Sequence, residues 1–246
     1  MRALLLAGGL GTRLRPLTDH TPKCLVELKG RPLLDYWLAM LFQAGFERVL
    51  INTHWLANKV EAHLSTSPWR DKVDLVHEET LLGTGGTILK NEGFFGNEDF
   101  FVAHADNLAL FDLPAFLESH KKRPVPCIMT MLAFETDDPR SCGILECDER
   151  NIVQKFHEKV ENPPGNLANA AIYQFTPALF THLRAQNRLT IDLSTEIIPK
   201  LVGSIFCVPT TGYIRDIGSH ERLERARFDL EDRDNERIRD FTGTLF

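Results

Sequence analysis

A run of glycines followed by cations is the part of the chain best suited to chemistry. Three glycines follow a short apolar stretch at residues 2–6: Gly8, Gly9 and Gly11. Three cations come next: Arg13, Arg15 and Lys23. A buried strand that runs into a glycine-rich loop lets backbone N–H groups approach a ligand closely. Because fixed positive charge nearby favours phosphate, this stretch predicts a polyphosphate-binding loop.

The loop fits neither of the two common phosphate-binding patterns. A Walker loop requires Gly-Lys-Ser/Thr after four intervening residues, and a dinucleotide loop requires a third glycine in G-x-G-x-x-G. The segment from Gly8 to Thr18, continued by Pro22 and Lys23, instead reads G-G-L-G-T-R-L-R-P-L-T and then P-K. It resembles, almost position for position, the signature of the sugar-1-phosphate nucleotidyltransferases, G-G-x-G-x-R-L-x-P-x-T-x-x-x-P-K.

The resemblance implies roles for the loop residues. Nucleotide contacts are expected from Leu6, Ala7, Gly8, Gly9, Gly11, Thr12 and Arg13. Arg13 would offset charge on the leaving pyrophosphate, and Lys23 would approach the α-phosphate and the acceptor. For Arg13 and Arg15, a solvated surface position is the alternative.

Two aspartates lie in local sequences that resemble the metal-binding segments of the family. Asp106 occurs in V-A-H-A-D-N-L, where Ala105 replaces the usual glycine, and Asp216 occurs in Y-I-R-D-I-G-S. Mg²⁺ typically takes only one or two protein carboxylates. The resemblance therefore implies Mg²⁺ held by Asp106 and Asp216, which complete a catalytic set with Arg13 and Lys23. Capping of the next element is the alternative role for either aspartate.

The segment E-E-T-L-L-G-T-G-G at residues 78–86 resembles the family stretch E-x-x-L-G-T-A-G. The resemblance implies that Glu78, Gly83 and Thr84 line the base and ribose pocket. A carboxylate of Glu78 or Glu79 could accept from a guanine edge, with simple exposure to water as the alternative.

Three later fragments resemble the family's acceptor site: C-G-I-L at 142–145, F-H-E-K at 156–159 and N-A-A-I-Y at 169–173. They imply sugar-phosphate contacts from Gly143, Glu158, Lys159 and Asn169. Cys142 stands where an aromatic residue is common, and Ala171 stands where glycine is usual. Both departures concern the acceptor pocket rather than the transfer reaction.

The elements that position these residues alternate through the first half. Strands are predicted at 2–6, 48–52, 73–76 and 100–103, with helices at 33–44, 57–64 and 113–120 and one opening near Gly86. This alternation indicates βαβ units around a parallel sheet. Since ligands lie at the carboxyl ends of such strands, the glycine loop, Glu78 and Asp106 are expected at one edge.

The second half is richer in strands. They are predicted at 126–133, 144–147, 152–157 and 171–175, with helices at 177–184 and 194–201. From His220, apolar residues at Leu223, Ala226 and Leu230 indicate a charged amphipathic helix. We predict an α/β fold, a Rossmann-like three-layer sandwich of the nucleotide-diphospho-sugar transferase type. It has a mixed, mostly parallel central sheet and a small β-rich sugar-binding lobe. Residues 1–218 would form the catalytic domain, with 219–246 a charged helix and tail packed on it.

Composition narrows the class of protein. The 246 residues are 43% hydrophobic, enough for one substantial core, and no stretch has the length of a membrane span. The net charge of −6 argues against nucleic-acid binding. Five cysteines without zinc-type spacing are typical of reduced thiols in a cytoplasmic protein. We expect small-molecule partners only, no membrane, and a monomer or homodimer.

The resemblance implies transfer of a nucleoside monophosphate from NTP to a sugar 1-phosphate. Residues 77–79 and 82–85 favour GTP and mannose 1-phosphate, whereas residues 52–56 also resemble UTP-dependent N-acetylmuramate-1-phosphate uridylyltransferases. Heptose-1-phosphate guanylyltransferases and a choline-phosphate cytidylyltransferase share the scaffold. Two readings from other classes are a non-catalytic regulatory subunit that binds a nucleotide sugar and a plain Rossmann-type nucleotide-binding module.

Overall fold

The computed structural model describes residues 1–232 and 238 and divides the chain into two compact units. The first unit comprises Met1–Leu81, Ala103–Leu113 and the residues from Gly212 onward. The second unit comprises Leu82–Val102 and Pro114–Thr211. Within the described part of the chain, no helix is long and apolar enough to cross a membrane.

The strands, in chain order, are β1 (Arg2–Leu6), β2 (Glu27–Leu28), β3 (Arg31–Pro32), β4 (Arg48–Thr53), β5 (Val73–His77), β6 (Phe100–His104), β7 (Asn107–Leu110), β8 (Met129–Glu135), β9 (Gly143–Cys147), β10 (Val153–Glu158), β11 (Leu167–Phe175), β12 (Ile205–Thr210) and β13 (Tyr213–Asp216). The helices are α1 (Leu17–His20), α2 (Leu33–Gln43), α3 (Ala57–Ser65), α4 (Gly83–Lys90), α5 (Glu92–Phe95), α6 (Leu113–Lys121), α7 (Leu179–Arg184), α8 (Ile198–Leu201) and α9 (His220–Glu231). A π-helical turn, Leu193–Ile197, leads into α8.

Parallel pairing of β1 with β4 and of β4 with β5 organises the first unit. Leu4 lies opposite Leu50 in this ladder, and both side chains are buried. Parallel strands are covered on both faces, which explains why β1 is an almost unbroken apolar run. Most of α2 is buried as well, including Trp37 and Leu38.

In the C-terminal part of the first unit, the buried carboxylate of Asp229 attaches α9 to β13. Antiparallel pairing of β13 with β7 places Asp216 opposite Asn107. On α9, Asp229 accepts from the Tyr213 hydroxyl at 2.8 Å and lies 2.8 Å from Arg225 Nε. These contacts join α9 to the strand that ends at Asp216.

Five strands and a cluster of phenylalanines organise the second unit. β8 pairs with β11 in antiparallel and with β12 in parallel orientation, and β9 pairs antiparallel with both β10 and β11. Phe95 stacks on Phe100 with ring centroids 4.2 Å apart, and Phe180 lies 5.3 Å from Phe100.

The predicted α/β class with a mixed sheet is confirmed, while several element boundaries differ. The helix expected near Gly86 begins at Gly83. The strand expected from 126 begins at Met129, since proline at 124 and 126 supplies no N–H to a ladder. The strand expected at 171–175 begins at Leu167, where a bulge hides the alternation.

The sequence analysis did not predict five of the strands: β2, β3, β7, β12 and β13. The amphipathic helix from His220 is confirmed, with Leu223, Ala226 and Leu230 buried. Of the predicted tail, residues 233–237 and 239–246 lie outside the described residues. The division at residue 218 stays a prediction.

We predict that Asp229→Ala lowers the free energy of unfolding by about 1–3 kcal/mol, because the buried Tyr213 hydroxyl loses its acceptor. Urea-induced unfolding would measure this, with the exposed Glu231→Ala on the same helix as the control, expected within about 0.5 kcal/mol of wild type. Equal effects of the two substitutions would contradict the proposed attachment of α9.

Candidate active site

The carboxyl ends of the first unit's parallel strands are joined by three hydrogen bonds. They run from Ala105 N to Leu6 O (3.0 Å), from Ala7 N to Asn52 Oδ1 (2.8 Å) and from Glu78 N to Thr53 O (2.9 Å). The glycine loop, Glu78 and the segment that leads to Asp106 therefore share one edge, as expected. Sequence reasoning missed Asn52, whose signal is an amide at the carboxyl end of an otherwise apolar strand.

The glycine loop is shaped by close contacts at Gly8 and Gly11. Gly11 has a φ of 63°, and its carbonyl accepts from the Thr18 hydroxyl at 2.7 Å. A Cβ on Gly8 would lie 2.9 Å from Asn52 Nδ2. Gly9 and Thr12 are exposed. The loop therefore holds a fixed backbone with part of its length open to solvent.

One buried ammonium is shared by the two predicted metal-binding aspartates. Lys23 Nζ donates to Asp106 Oδ2 at 2.8 Å and to Asp216 Oδ1 at 3.0 Å. Only 8% of the Lys23 side chain is exposed. Two carboxylates from distant parts of the sequence thus point an oxygen at the same cation.

This arrangement favours the charged forms of Lys23 and Asp106. Burial by itself disfavours the Lys23 ammonium, but the charges of Asp106 and Asp216 outweigh it and raise the pKa of Lys23. Burial likewise disfavours the Asp106 carboxylate, yet Lys23 and the neighbouring His104 hold the pKa of Asp106 below its usual value.

Asp216 is in contact with three cations. Besides Lys23 at Oδ1, its Oδ2 accepts from Arg222 Nη1 at 3.0 Å and lies 3.8 Å from Arg13 Nη2. The Arg13 side chain is 68% exposed, whereas that of Arg222 is 26% exposed. A Cβ on Gly218 would lie 2.7 Å from Arg13 Nη2 and 2.8 Å from Asp216 Oδ1, so a side chain there would displace these two groups.

The same carboxylates fit a hard divalent cation. Asp106 and Asp216 direct one oxygen each at a single cationic position, and oxygen is the donor that Mg²⁺ prefers. Across residues 1–232 and 238, no three or more His, Cys, Asp or Glu side chains cluster as a metal site. Further ligands to a Mg²⁺ ion here would therefore come from phosphates and water, as is common for this ion.

Glu78 is buried, with 1% of the residue exposed, so exposure to water is the wrong alternative for it. Its carbonyl accepts from His54 Nδ1 at 2.7 Å. Glu79 is exposed. The structure brings Glu78 to the edge that carries the loop, while Gly83 and Thr84 belong to the second unit.

Gly83 and Thr84 shape the start of α4. Gly83 has a φ of 72°, and a Cβ there would lie 2.5 Å from the carbonyl oxygen of Ile191. Thr84 Oγ1 accepts from the Leu193 N–H at 2.7 Å. Gly83 thus lets the chain pass close to Ile191, and Thr84 bonds the first residue of the π-helical turn.

The predicted sugar-phosphate residues come together in the second unit. Glu158 lies opposite Gly143 in the β9–β10 ladder, and a Cβ on Gly143 would lie 2.7 Å from Glu158 Oε2. Lys159 N donates to Cys142 O at 3.2 Å, and Lys159 Nζ lies 3.4 Å from Glu158 Oε1. The Lys159 side chain is 65% exposed.

Asn169 is held by its own strand. Its Oδ1 accepts from Ala171 N at 2.9 Å, and its Nδ2 donates to the Tyr173 hydroxyl at 2.8 Å. The two bonds span a register shift in β11, where Ala171 has a φ of 57°. This left-handed conformation explains why glycine is usual at position 171 in the resembling motif.

A family model described as nucleotidyl transferase matches residues 2–233. The chain belongs to the nucleotidyl transferase family. The mannose-1-phosphate guanylyltransferase of Mycobacterium tuberculosis is 32% identical over 93% of this chain and 64% of its own length. The catalytic subunit beta of the Drosophila melanogaster enzyme of that name is 30% identical over 88% of this chain. The chain spans less than two thirds of the curated relatives it matches.

Solved structures with a similar fold cover nearly the whole chain. HddC from Yersinia pseudotuberculosis, complexed with GMP-PN, is 25% identical with a TM-score of 0.78, covering 93% of this chain and 99% of that one. An apo UDP-glucose pyrophosphorylase has the same fold, with a TM-score of 0.78 at 23% identity over 94% of this chain and 98% of that one.

We predict that Ala171→Gly raises the free energy of unfolding by about 1 kcal/mol. Relief of a left-handed alanine is worth roughly 1–2 kcal/mol, more than the roughly 0.4–1 kcal/mol gained by the unfolded chain. Ala168→Gly is the control in the same strand and should be destabilising, since Ala168 is buried and pairs with Phe134. Denaturant unfolding would distinguish the two, and a destabilised Ala171→Gly would refute the conformation at 171.

Proposed function

We propose that this chain transfers a nucleoside monophosphate from NTP to a sugar 1-phosphate, giving an NDP-sugar and pyrophosphate, with GTP and mannose 1-phosphate as substrates. The observation that carries the proposal is the Lys23 ammonium shared by Asp106 and Asp216 in a nucleotidyl transferase chain. A phosphate-binding loop at the same sheet edge supports it. Mg²⁺ is the proposed cofactor.

The proposed reaction is a direct in-line displacement. An oxygen of the sugar phosphate bonds to the α-phosphorus while the bond from that phosphorus to the bridging oxygen breaks, and pyrophosphate leaves with the electron pair. The attacking oxygen is already ionised at neutral pH, so no general base is required. Positioning and charge stabilisation then supply the rate enhancement.

The loop and its cations would bind the phosphates. The backbone from Leu6 to Thr12 would approach the nucleotide, and the exposed Arg13 would offset charge on the departing pyrophosphate. Lys23 would contact the α-phosphate and the acceptor phosphate. Asp106 and Asp216 would hold Mg²⁺, which supplies Lewis-acid stabilisation of phosphate charge when bound.

The remaining residues would select the substrates. Glu78, Gly83 and Thr84 are proposed for the base and ribose, and Gly143, Glu158, Lys159 and Asn169 for the sugar phosphate. Because both amide atoms of Asn169 already bond within β11, we assign it a shared role in shaping the strand and meeting the sugar. The guanylyl-transferring relatives favour GTP. Action in the cytoplasm as a monomer or homodimer is part of the same proposal.

The direct test is a pyrophosphate-release panel in Mg²⁺. GTP, UTP, CTP, ATP and dTTP would each be paired with mannose, glucose, N-acetylmuramate and heptose 1-phosphates and with phosphocholine. We expect the strongest release from GTP with mannose 1-phosphate. UTP with N-acetylmuramate 1-phosphate, or GTP with heptose 1-phosphate, would overturn the substrate assignment. If the chain binds nucleotide but no pair releases pyrophosphate, the result would favour the regulatory subunit instead.

Asp106→Asn is expected to lower kcat by about 10²–10³-fold, because the amide removes a charge from the proposed metal site. The thermal midpoint should change little, since the amide oxygen still accepts from Lys23. Asp112→Asn, at an exposed aspartate of the same segment, is the control and should keep wild-type turnover. A wild-type rate for Asp106→Asn at saturating Mg²⁺ would remove Asp106 from the mechanism.

Lys159→Ala is expected to raise the KM for the sugar phosphate by about tenfold or more and to leave the KM for the nucleotide unchanged, because a charged hydrogen bond is worth about 1.5–3 kcal/mol. Initial-rate kinetics with each substrate varied would show this. The control is Lys155→Ala in β10, whose ammonium lies 3.4 Å from Glu146. An effect on the nucleotide alone would show that the acceptor site is misplaced.

A further inference from the structure

Arg222 contacts the proposed metal ligand Asp216 from the first turn of α9. Its Nη1 donates to Asp216 Oδ2 at 3.0 Å. Asp216 Oδ1 is the oxygen that accepts from Lys23. The two oxygens of one carboxylate therefore have different partners: one faces the cationic position and the other faces α9.

The helix that carries Arg222 is held in place at its N-terminus and further along its length. Ser219 caps α9, with its hydroxyl accepting from Arg222 N at 3.3 Å. Leu223, the next residue, is buried, and Asp229 fastens the helix to Tyr213 further along. The guanidinium thus projects from a fixed helix end, whereas a carboxylate otherwise rotates freely about its terminal bond.

The other two cations that contact Asp216 differ from Arg222 in their proposed role. Lys23 and Arg13 are both assigned to binding phosphates. The Arg13 side chain is 68% exposed and lies 3.8 Å from Oδ2, a contact it can leave without breaking a hydrogen bond. Arg222 is 26% exposed and makes the closer contact.

We infer that Arg222 is a positioning residue: it fixes the Asp216 carboxylate through Oδ2, so that Oδ1 is presented to the divalent cation and Arg13 stays available for the leaving pyrophosphate. This inference rests on the proposed function. Partners that orient metal ligands typically change metal affinity or activity by about 10–100-fold when removed. Loss of Arg222 would also let Arg13 move closer to Asp216 Oδ2, from which its Nη2 lies 3.8 Å away.

The experiment compares Arg222→Met, Arg222→Lys and the control Arg227→Met. Arg227 is on the same helix and pairs with Glu224, away from Asp216. Mn²⁺ binding is titrated without substrates, by the electron paramagnetic resonance signal of the free ion. Steady-state kinetics and thermal unfolding are measured on the same preparations.

For Arg222→Met we expect Mn²⁺ affinity and kcat each to fall by about tenfold or more. The KM for the sugar phosphate and the unfolding midpoint should stay close to those of Arg227→Met. Arg222→Lys should recover part of both losses, because it restores the charge without the planar fork.

Unchanged or tighter Mn²⁺ binding by Arg222→Met would overturn the inference, because simple charge repulsion predicts tighter binding once a cation is removed. Arg222 would have a purely structural role if Arg227→Met lost as much Mn²⁺ affinity and kcat as Arg222→Met. The same conclusion would follow if Arg222→Lys recovered neither quantity and its unfolding midpoint were lowered. If wild type releases no pyrophosphate, the proposed function fails while the Mn²⁺ titration still decides the role of Arg222. If wild type is active and Arg222→Met has the same Mn²⁺ affinity and kcat as wild type, the proposed function is retained and Arg222 has no positioning role.

Discussion

The shared ammonium of Lys23 is the interaction on which the rest of the site depends. Two carboxylates facing one point repel each other, and a buried cation between them removes that penalty. Lys23 is 83 residues from Asp106 and 193 from Asp216. The fold meets this geometry by bringing the chain that follows the ends of β1 and β6 close to the end of β13. The parallel ladder, the buried face of α2 and the attachment of α9 can each be understood as holding those ends in place.

The two units carry different parts of the proposed chemistry. The first contains the glycine loop, both aspartates and the cations around them. The second contains the residues proposed for the sugar phosphate, arranged on β9, β10 and β11. The C-terminal helix α9 does more than cover apolar surface, because Arg222 and Asp229 connect it to both ends of β13.

The sequence predicts this architecture well where an apolar strand is followed directly by glycines or by polar residues. The apolar stretch that leads into Gly8, and the polar residues that follow each apolar strand, suffice to predict which residues lie at the carboxyl edge of the sheet. Asn52 and Arg222 were missed because their importance comes from contacts across elements, which no local pattern contains. Ala171 illustrates the converse: the departure from glycine is visible in the sequence, but the left-handed conformation that gives it meaning is known only from the structure. The burial of Glu78 likewise depends on tertiary packing.

The most direct test of the central claim is a crystal structure with Mn²⁺ and a non-hydrolysable GTP analogue, read by anomalous scattering at the manganese edge. We expect a manganese peak in contact with oxygens of both Asp106 and Asp216, with Lys23 Nζ moved to a phosphate. A peak bound by other side chains, or bound nucleotide with Lys23 still on both carboxylates and no peak beside them, would contradict it.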